Sequence, residues 1–293
     1  MIMEGIANEM VADAWSRAIG FVTGSLLPTW AAFIVIGTLA ELVFPAERGQ
    51  SPAGRLLNAR YSIVYAAFIF ACGPAVIIFI NAIGQAAGTG WIDLSQGFGN
   101  SMPAQIAASF LIYLITDFYY YWLHRIQHTV PWLWDQHAVH HSDPELNVTT
   151  SVRHHWLEYL LQSVAIAVPM TVLFKLPAVT TWAISMTFAG WSFFIHSNLR
   201  IELGPLSWLL CGPQVHRLHH SRLAEHADKN FAAYFPVWDV VFGTWCPPRR
   251  GEFPPTGLHS GEHMRSAWLL SIWPLKKWVG RVKVGMRDEP AKS

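Results

Sequence analysis

Five long apolar runs alternate with polar segments along the chain. A helix needs about 20 mostly apolar residues to cross the hydrocarbon core of a bilayer, and each run approaches that length. The sequence therefore predicts five membrane helices, at residues 26–44, 61–83, 104–122, 157–174 and 178–195. The last two runs are the shortest and only residues 175–177 separate them, which predicts a tight helical hairpin. Whether four or five helices span the bilayer fully stays open.

Composition supports a membrane protein over a large soluble helical core. Charged residues make up 13% of the 293 residues and hydrophobic residues 52%, whereas soluble domains carry roughly 25% charged residues. The formal net charge of +1 gives no electrostatic footprint for nucleic acid, so we expect no nucleic-acid partner. The three cysteines are far apart and form no CxxC pair, which disfavours a disulfide framework or a cysteine-based zinc site.

The distribution of basic residues predicts the orientation in the membrane. Arg48, Arg55 and Arg60 lie in the first loop, whereas the loop at 84–103 holds neither lysine nor arginine. Thirteen lysines and arginines follow the fifth run. Because basic loops face the cytoplasm, we expect the first loop, residues 124–153 and the C-terminus to be cytoplasmic.

The segment 265–287 interleaves three tryptophans with basic residues, namely Trp268, Trp273 and Trp278 with Lys276, Lys277, Arg281 and Lys283. This composition is typical of a helix lying in the plane of the lipid headgroups. A basic surface helix that packs on the rest of the protein has the same composition, and the sequence leaves both interpretations open.

Fourteen histidines are unusual for such a chain, and twelve of them lie between His124 and His226. Eight form three clusters with repeated spacing: His124 and His128; His137, His140 and His141; and His216, His219 and His220. Residues at i, i+3 and i+4 share one face of a helix. Each cluster can therefore direct two or three imidazoles at one place.

Imidazole is neutral near pH 7, is the commonest metal ligand, and suits iron, zinc and copper. One tetrahedral zinc needs only four ligands. Eight or more imidazoles therefore predict two metal ions side by side. His196, which ends the fifth run on the same side as the clusters, is a further predicted ligand.

Several polar residues beside the clusters are candidates for orienting the ligands. Asp117, Tyr121, His124 and His128 share one helical face, so we expect Asp117 to hold a ligand histidine through its second ring nitrogen. Residues near the two HxxHH boxes that could act similarly, or simply cap helices, are Asp143, Asn147, Asp228 and Asn230.

The histidine boxes resemble those of the fatty acid hydroxylase or sterol desaturase superfamily of integral-membrane, non-haem di-iron oxygenases. Supporting stretches are Arg153 to Glu158, which is similar to the family's Arg-x-His-Pro-Leu-Glu, His196 to Asn198, Asp228 to Phe231 and Trp238 to Thr244. This resemblance covers 104–248. It implies a tenth ligand, at His155 or alternatively at His226, although Trp156 replaces the family's proline and Arg200 stands where some members place a further histidine.

The resemblance implies an all-α fold: a polytopic membrane helical bundle with a cytoplasmic helical cap carrying the histidine boxes. The expected regions are N-terminal spans at 1–103, a catalytic region at 104–248 and a basic tail at 249–293. Two iron ions, O2 and two electrons would hydroxylate or desaturate a C–H bond of a fatty acyl, sterol or other isoprenoid lipid. The expected catalytic residues are Asp117, Tyr121 and Asn230.

No fused electron-donor domain is evident, so the electrons would come from a separate cytochrome b5-like protein or a ferredoxin and its reductase. The short chain favours a bacterial inner membrane over the endoplasmic reticulum. Alternatives from other classes are a bis-histidine haem cytochrome, a metal-binding or transport protein and a membrane zinc hydrolase.

Overall fold

The computed structural model describes residues 2–88, 90–94, 101–176 and 178–284. Helix α1 (Ile2–Phe21) continues through a π-helical turn (Val22–Leu26) into α2 (Leu27–Val43), so that one long helix forms the N-terminal part. The next two long helices are α3 (Pro52–Ala87) and α4 (Met102–Thr129). Ser51 caps the start of α3 and Ser101 the start of α4, since each hydroxyl accepts a backbone N–H of the first turn.

Three of the described helices are long and apolar enough to cross a membrane: Val11–Val43, Pro52–Ala87 and Met102–Thr129. They cover the first three predicted spans except for Phe44, and each helix begins before the apolar run that predicted it. The all-α prediction is confirmed, and the protein is an integral membrane protein.

The fourth predicted span is a shorter helix, Glu158–Leu173, with an internal π-helical turn. It consists of α6 (Glu158–Gln162), a π-helical turn (Ser163–Ala167) and α7 (Val168–Leu173). A proline follows shortly after each π-helical turn in the described residues, Pro28 in α2 and Pro169 in α7. Proline has no N–H and its ring collides with the carbonyl four residues earlier, so the wider turn accommodates it.

The helix at Ala178–His196 matches the fifth predicted span, at 178–195, and residue 177 of the predicted hairpin lies outside the described residues. The remaining helical elements, including this one, lie between and after the long helices. They are α5 (Pro131–His141), a 3-10 helix (Val148–Val152), α8 (Ala178–His196), a 3-10 helix (Gly204–Trp208), α9 (Pro213–His219), a 3-10 helix (Ala224–His226), α10 (Val237–Val241) and α11 (Ala267–Val284). Strands β1 (Ile92–Asp93) and β2 (Phe174–Lys175) pair in parallel. This pairing joins the end of α7 to the loop after α3.

Glu41 connects the long helices to the cap, although its position in an apolar run did not single it out in the sequence. Its side chain is only 2% exposed. One carboxylate oxygen accepts the backbone N–H groups of Val148 and Asn198, both at 2.7 Å, and the other pairs with Arg55. A buried carboxylate with these partners fixes α2 against both the 3-10 helix at 148–152 and the segment after α8.

Helix α11 packs on α5, which is one of the two alternatives left open by the sequence. Arg281 forms two hydrogen bonds with Asp135, at 2.9 and 3.2 Å, and the Trp278 indole donates to the carbonyl of Trp132 at 3.0 Å. Two apolar side chains of α11 remain exposed, Trp268 at 71% and Val282 at 69%.

Candidate metal centre

Nine of the ten predicted histidine ligands converge as two groups. The five-histidine group is His124, His128, His137, His141 and His219; the four-histidine group is His140, His196, His216 and His220. Within each group the potential ligand atoms all lie within 4.8 Å of one another, and every member is buried. Helices α4, α5, α8 and α9 supply all of them except His220, which directly follows α9.

Each HxxHH box contributes to both groups, and this division places the groups side by side. On α5, His137 and His141 belong to the five-histidine group and His140 to the other. In the second box, at α9, the division is reversed: His216 and His220 belong to the four-histidine group and His219 to the five-histidine group. The rings of His141 and His220 stack with centroids 4.3 Å apart, so the two groups are in direct contact.

In the four-histidine group the Nε2 atoms face one another. His196 Nε2 lies 2.9 Å from the Nε2 atoms of both His140 and His216. The Nδ1–H of His196 donates to the carbonyl of Ser192 at 2.6 Å. In the neutral ring Nε2 then carries no proton and has a free lone pair. A cation shared by the converging lone pairs satisfies this arrangement better than hydrogen bonds between the rings do.

In the five-histidine group three Nδ1 atoms have acceptors behind them. His124 donates to the carbonyl of Phe231 at 2.7 Å, and His219 donates to that of Lys229 at 2.8 Å. His128 Nδ1 lies 3.3 Å from Asp228 Oδ1. These partners direct the Nε2 lone pairs inwards, as second ring nitrogens do in histidine metal sites.

Unsatisfied buried nitrogens support the same conclusion. The Nε2 of His124 and both ring nitrogens of His137 are buried and have no hydrogen-bond partner among the described residues. Such groups carry a free-energy cost unless a ligand occupies them. The donor set fits metal ions that prefer imidazole.

Burial favours the neutral form of several of these histidines. Desolvation, assisted by the neighbouring imidazoles, holds the pKa values of His140, His141, His216 and His220 well below the ordinary 6.5. Only the neutral ring has a lone pair for a metal, so the geometry prepares these side chains as ligands at pH 7.

The loop at 228–235 supplies all three acceptors behind the five-histidine group. Asp228 and Asn230 adopt left-handed backbone conformations, with φ of 57° and 58°, which asparagine and aspartate tolerate better than most residues. Asn230 anchors the loop, since its side chain accepts from Cys246 N at 2.8 Å and donates to Cys246 O at 3.0 Å. Asn230 therefore lies behind the ligands rather than among them.

Two buried carboxylates hold five consecutive backbone amides of this loop. Asp239 accepts from Phe231 N and Ala232 N at 2.7 and 2.9 Å. Asp117 accepts from the next three amides, at 2.8 to 3.1 Å. Asp117 therefore does not make the direct hydrogen bond to a histidine that we expected. Its carboxylate binds the backbone of the loop whose Phe231 carbonyl holds His124, so Asp117 acts on that ring through the loop.

The remaining predicted residues lie near the two groups without joining them. Tyr121 is hydrogen-bonded to Thr244 at 3.0 Å and accepts from Arg125 at 2.9 Å. The ring of His155 donates to the carbonyl of Ser271 on α11 at 3.1 Å, so the structure does not bring it to either group. His226 pairs with Glu252 instead, at 3.5 Å.

Asp143 and Asn147 organise the turn after α5. Asp143 accepts from Asn58 and Thr150, both at 2.7 Å. Asn147 caps the 3-10 helix at Val148–Val152 by accepting from Thr149 N at 3.0 Å. The capping alternative therefore describes Asn147.

Glu158 is a residue of the site that the sequence pattern did not single out. Its buried carboxylate accepts from Gln127 and Gln136, both at 2.7 Å, and lies 3.9 Å from His137 Nδ1. Its only signal in the sequence was its place at the end of the stretch 153–158.

Two cavities approach the histidines. One, of about 410 Å³, is largely apolar and its wall includes His154, whose ring stacks on that of His140. The other, of about 390 Å³, has a more polar wall that includes His128, His141 and His219.

Several known proteins are similar to parts of this chain. The alkylglycerol monooxygenase of Xenopus tropicalis is 37% identical over 145 residues, which are 47% of this chain and 30% of that protein. The ornithine lipid hydroxylase of Rhizobium tropici is 30% identical over 160 residues, 53% of this chain and 48% of that protein. A very-long-chain aldehyde decarbonylase of Oryza sativa is 31% identical over 144 residues, 44% of this chain and 21% of that protein.

This chain thus spans less than half the length of each of these relatives. No solved structure matches it. Residues 109–244 match the fatty acid hydroxylase family and contain all nine converging histidines. The resemblance predicted from the histidine boxes is confirmed over this region: residues 109–244 are similar to the fatty acid hydroxylase family.

Proposed function

We propose that the protein is a membrane oxygenase that holds two iron ions and uses O2 and two electrons to hydroxylate a C–H bond of a lipid. The observation that carries this proposal is the pair of adjacent, buried histidine groups of five and four members. Two relatives are named for lipid hydroxylation, an alkylglycerol monooxygenase and an ornithine lipid hydroxylase.

In this proposal each histidine group binds one ion. Bound iron would supply the activation of O2 that protein side chains alone cannot provide. The chain's own residues fix the geometry: Ser192, Lys229 and Phe231 hold ligand rings through their carbonyl groups. Asp117 and Asp239 keep the loop at 228–235 in place, and burial of the ligands excludes bulk water.

Access for the substrate follows from the apolar cavity. Residues of α2, α3, α4 and α8 contribute to its wall, so an alkyl chain can enter from the bilayer between membrane helices. The basic loops favour a metal centre on the cytoplasmic side, where a separate electron donor, cytochrome b5-like or ferredoxin with its reductase, would reach it. We favour a bacterial inner membrane.

Desaturation is the nearest alternative, because the same ligands serve both reactions and the products alone distinguish them. A bis-histidine haem cytochrome is disfavoured by the packing of the rings. Nε2 atoms 2.9 to 3.2 Å apart leave no room for a porphyrin between two axial ligands.

The test compares the lipids of cells that express the wild-type protein, a His140→Ala variant or no protein. The proposal predicts a lipid enriched by one oxygen atom with the wild type and its absence with His140→Ala. The matched control is His263→Ala, an exposed histidine outside both groups, which should retain the product. A product lacking two hydrogens would assign desaturation, and identical lipids in all strains would contradict the proposal.

A further inference from the structure

The apolar cavity has an uncharged wall. No lysine, arginine, aspartate or glutamate is present among the described residues that line it. Aromatic and aliphatic side chains such as Trp30, Ile69, Phe188 and Phe193 dominate the wall. A charged headgroup would lose its hydration there without gaining a partner, so the cavity suits an alkyl chain whose polar groups are uncharged.

Several polar side chains in this wall already have partners. The hydroxyls of Ser151 and Ser192 bond to each other at 2.9 Å. Ser163 donates to the carbonyl of Tyr159 at 2.7 Å, and Gln162 donates to Glu158 at 3.1 Å. These groups are satisfied within the protein and do not call for a ligand.

His154 differs from them. Its Nδ1 is buried and has no hydrogen-bond partner in the described part of the chain, although its ring forms part of the cavity wall. It belongs to neither histidine group. The buried Nδ1 is not the atom that an occupant of the cavity would meet, but a neutral imidazole has a second ring nitrogen that can hydrogen-bond to such an occupant.

The position of His154 links the cavity to the metal centre. Its ring is stacked on His140 of the four-histidine group, with centroids 4.4 Å apart and planes 14° apart. On its other side the ring approaches Tyr65, with centroids 5.8 Å apart. A ligand atom bonded to His154 would therefore lie one imidazole ring away from the four-histidine group.

We propose that His154 is a substrate-binding residue that hydrogen-bonds an uncharged oxygen of an alkyl-chain substrate, such as an ether, ester or hydroxyl oxygen. The chain fills the apolar cavity, and the bond to His154 fixes which carbon lies beside the four-histidine group. This inference rests on the proposed lipid oxygenase function and adds a substrate class to it. The neutral ring offers both an N–H and a lone pair, so it can bond to any of these oxygens.

The experiment measures binding and needs no turnover, so its outcome is separate from that of the lipid analysis. The purified protein in detergent micelles is photolabelled with a diazirine-bearing hexadecyl probe. Hexadecan-1-ol, hexadecyl methyl ether and hexadecane then compete at equal mole fractions in the micelle. We expect both oxygenated chains to compete about fivefold better than the alkane, the effect of one net hydrogen bond.

Three variants make the result specific. His154→Leu should bring the three competitors to equal potency, whereas His154→Gln, which keeps hydrogen-bonding groups, should retain the preference. Phe188→Leu, elsewhere in the same wall, should weaken all three competitors by the same factor and leave their ratio unchanged. The iron content of each variant reports an intact metal centre.

The inference is overturned if His154→Leu keeps the wild-type preference, or if the wild type binds the alkane as well as the oxygenated chains. Loss of the hydroxylated lipid in cells with unchanged competition ratios would instead contradict the proposed function alone.

Discussion

The Nδ1–H of His124 donates to the carbonyl oxygen of Phe231 across 2.7 Å, although 107 positions separate the two residues in the chain. Phe231 is held in turn by Asp239, which accepts its backbone N–H at 2.7 Å. A membrane helix, a loop and a buried carboxylate thus form one chain of hydrogen bonds. The orientation of a ligand ring depends on residues that never touch the metal position.

Asp239→Asn should loosen this chain of bonds. An amide keeps one acceptor oxygen, so one of the two N–H groups of Phe231 and Ala232 loses its partner, at a cost of about 1–3 kcal/mol. Loss of an outer partner typically lowers metal affinity by about 10- to 100-fold. We expect a lower melting temperature and iron that is lost to a chelator the wild type resists.

The matched control is Asp13→Asn, an exposed aspartate on α1. It should leave both the melting temperature and the iron retention at wild-type values. Wild-type iron retention in Asp239→Asn would show that the loop does not orient the ligands.

The stabilities of two variants at Asn230 test the left-handed backbone of the loop. Both Asn230→Gly and Asn230→Ala remove the hydrogen bonds to Cys246. Only alanine also meets the steric cost of φ near 58°, about 1 kcal/mol or somewhat more. Urea unfolding in micelles should therefore rank the wild type above the glycine variant and the glycine variant above the alanine variant. Equal stability of the two variants would contradict the strained backbone.

His155 and His196 were both predicted as ligands, and the structure separates them. His155 bonds to the carbonyl of Ser271, whereas His196 lies in the four-histidine group. We expect His155→Ala to keep about two irons per chain by elemental analysis, with a small loss of stability of about 1 kcal/mol. His196→Ala should bind less iron. If His155→Ala bound less iron than His196→Ala, His155 would be a metal ligand after all.

Acid should destabilise the metal-free protein. The pKa values of His140, His141, His216 and His220 are lowered in the folded state, and the same groups have ordinary values near 6.5 when unfolded. Below pH 6.5 the unfolded chain therefore binds more protons than the folded one, so the free energy of unfolding falls as the pH falls. Each histidine contributes a slope of up to about 1.4 kcal/mol per pH unit.

Thermal unfolding of the metal-free protein between pH 7.5 and 5 checks this sign. The melting temperature should be flat above pH 7 and drop below about 6.5, and His216→Phe should make the drop shallower. A melting temperature that rises on acidification would mean that the histidines are protonated in the folded state.

The sequence predicted what depends on local periodicity. Apolar runs located the three long helices, and the spacing of His137, His140 and His141 placed three ligands on one short helix. Because a repeat of i, i+3 and i+4 is a property of one helix, it could be recognised without knowing the fold.

Contacts between distant segments were not predictable in the same way. Asp117 was expected to touch a histidine because they share a helical face, yet its carboxylate accepts the amides of 233–235 from another part of the chain. Neither the direction of the His155 ring nor the burial of Glu158 beside His137 has a local signal. The division of each HxxHH box between two groups likewise requires the tertiary arrangement.

In the proposed function two metal ions lie side by side, one on each histidine group. Anomalous diffraction from crystals of the iron-loaded protein, collected at the iron absorption edge, is the sharpest test of this arrangement. We predict two neighbouring peaks, one within coordination reach of the group containing His124 and His137 and the other within reach of the group containing His140 and His196. A single peak, or iron bound away from both groups, would contradict the account.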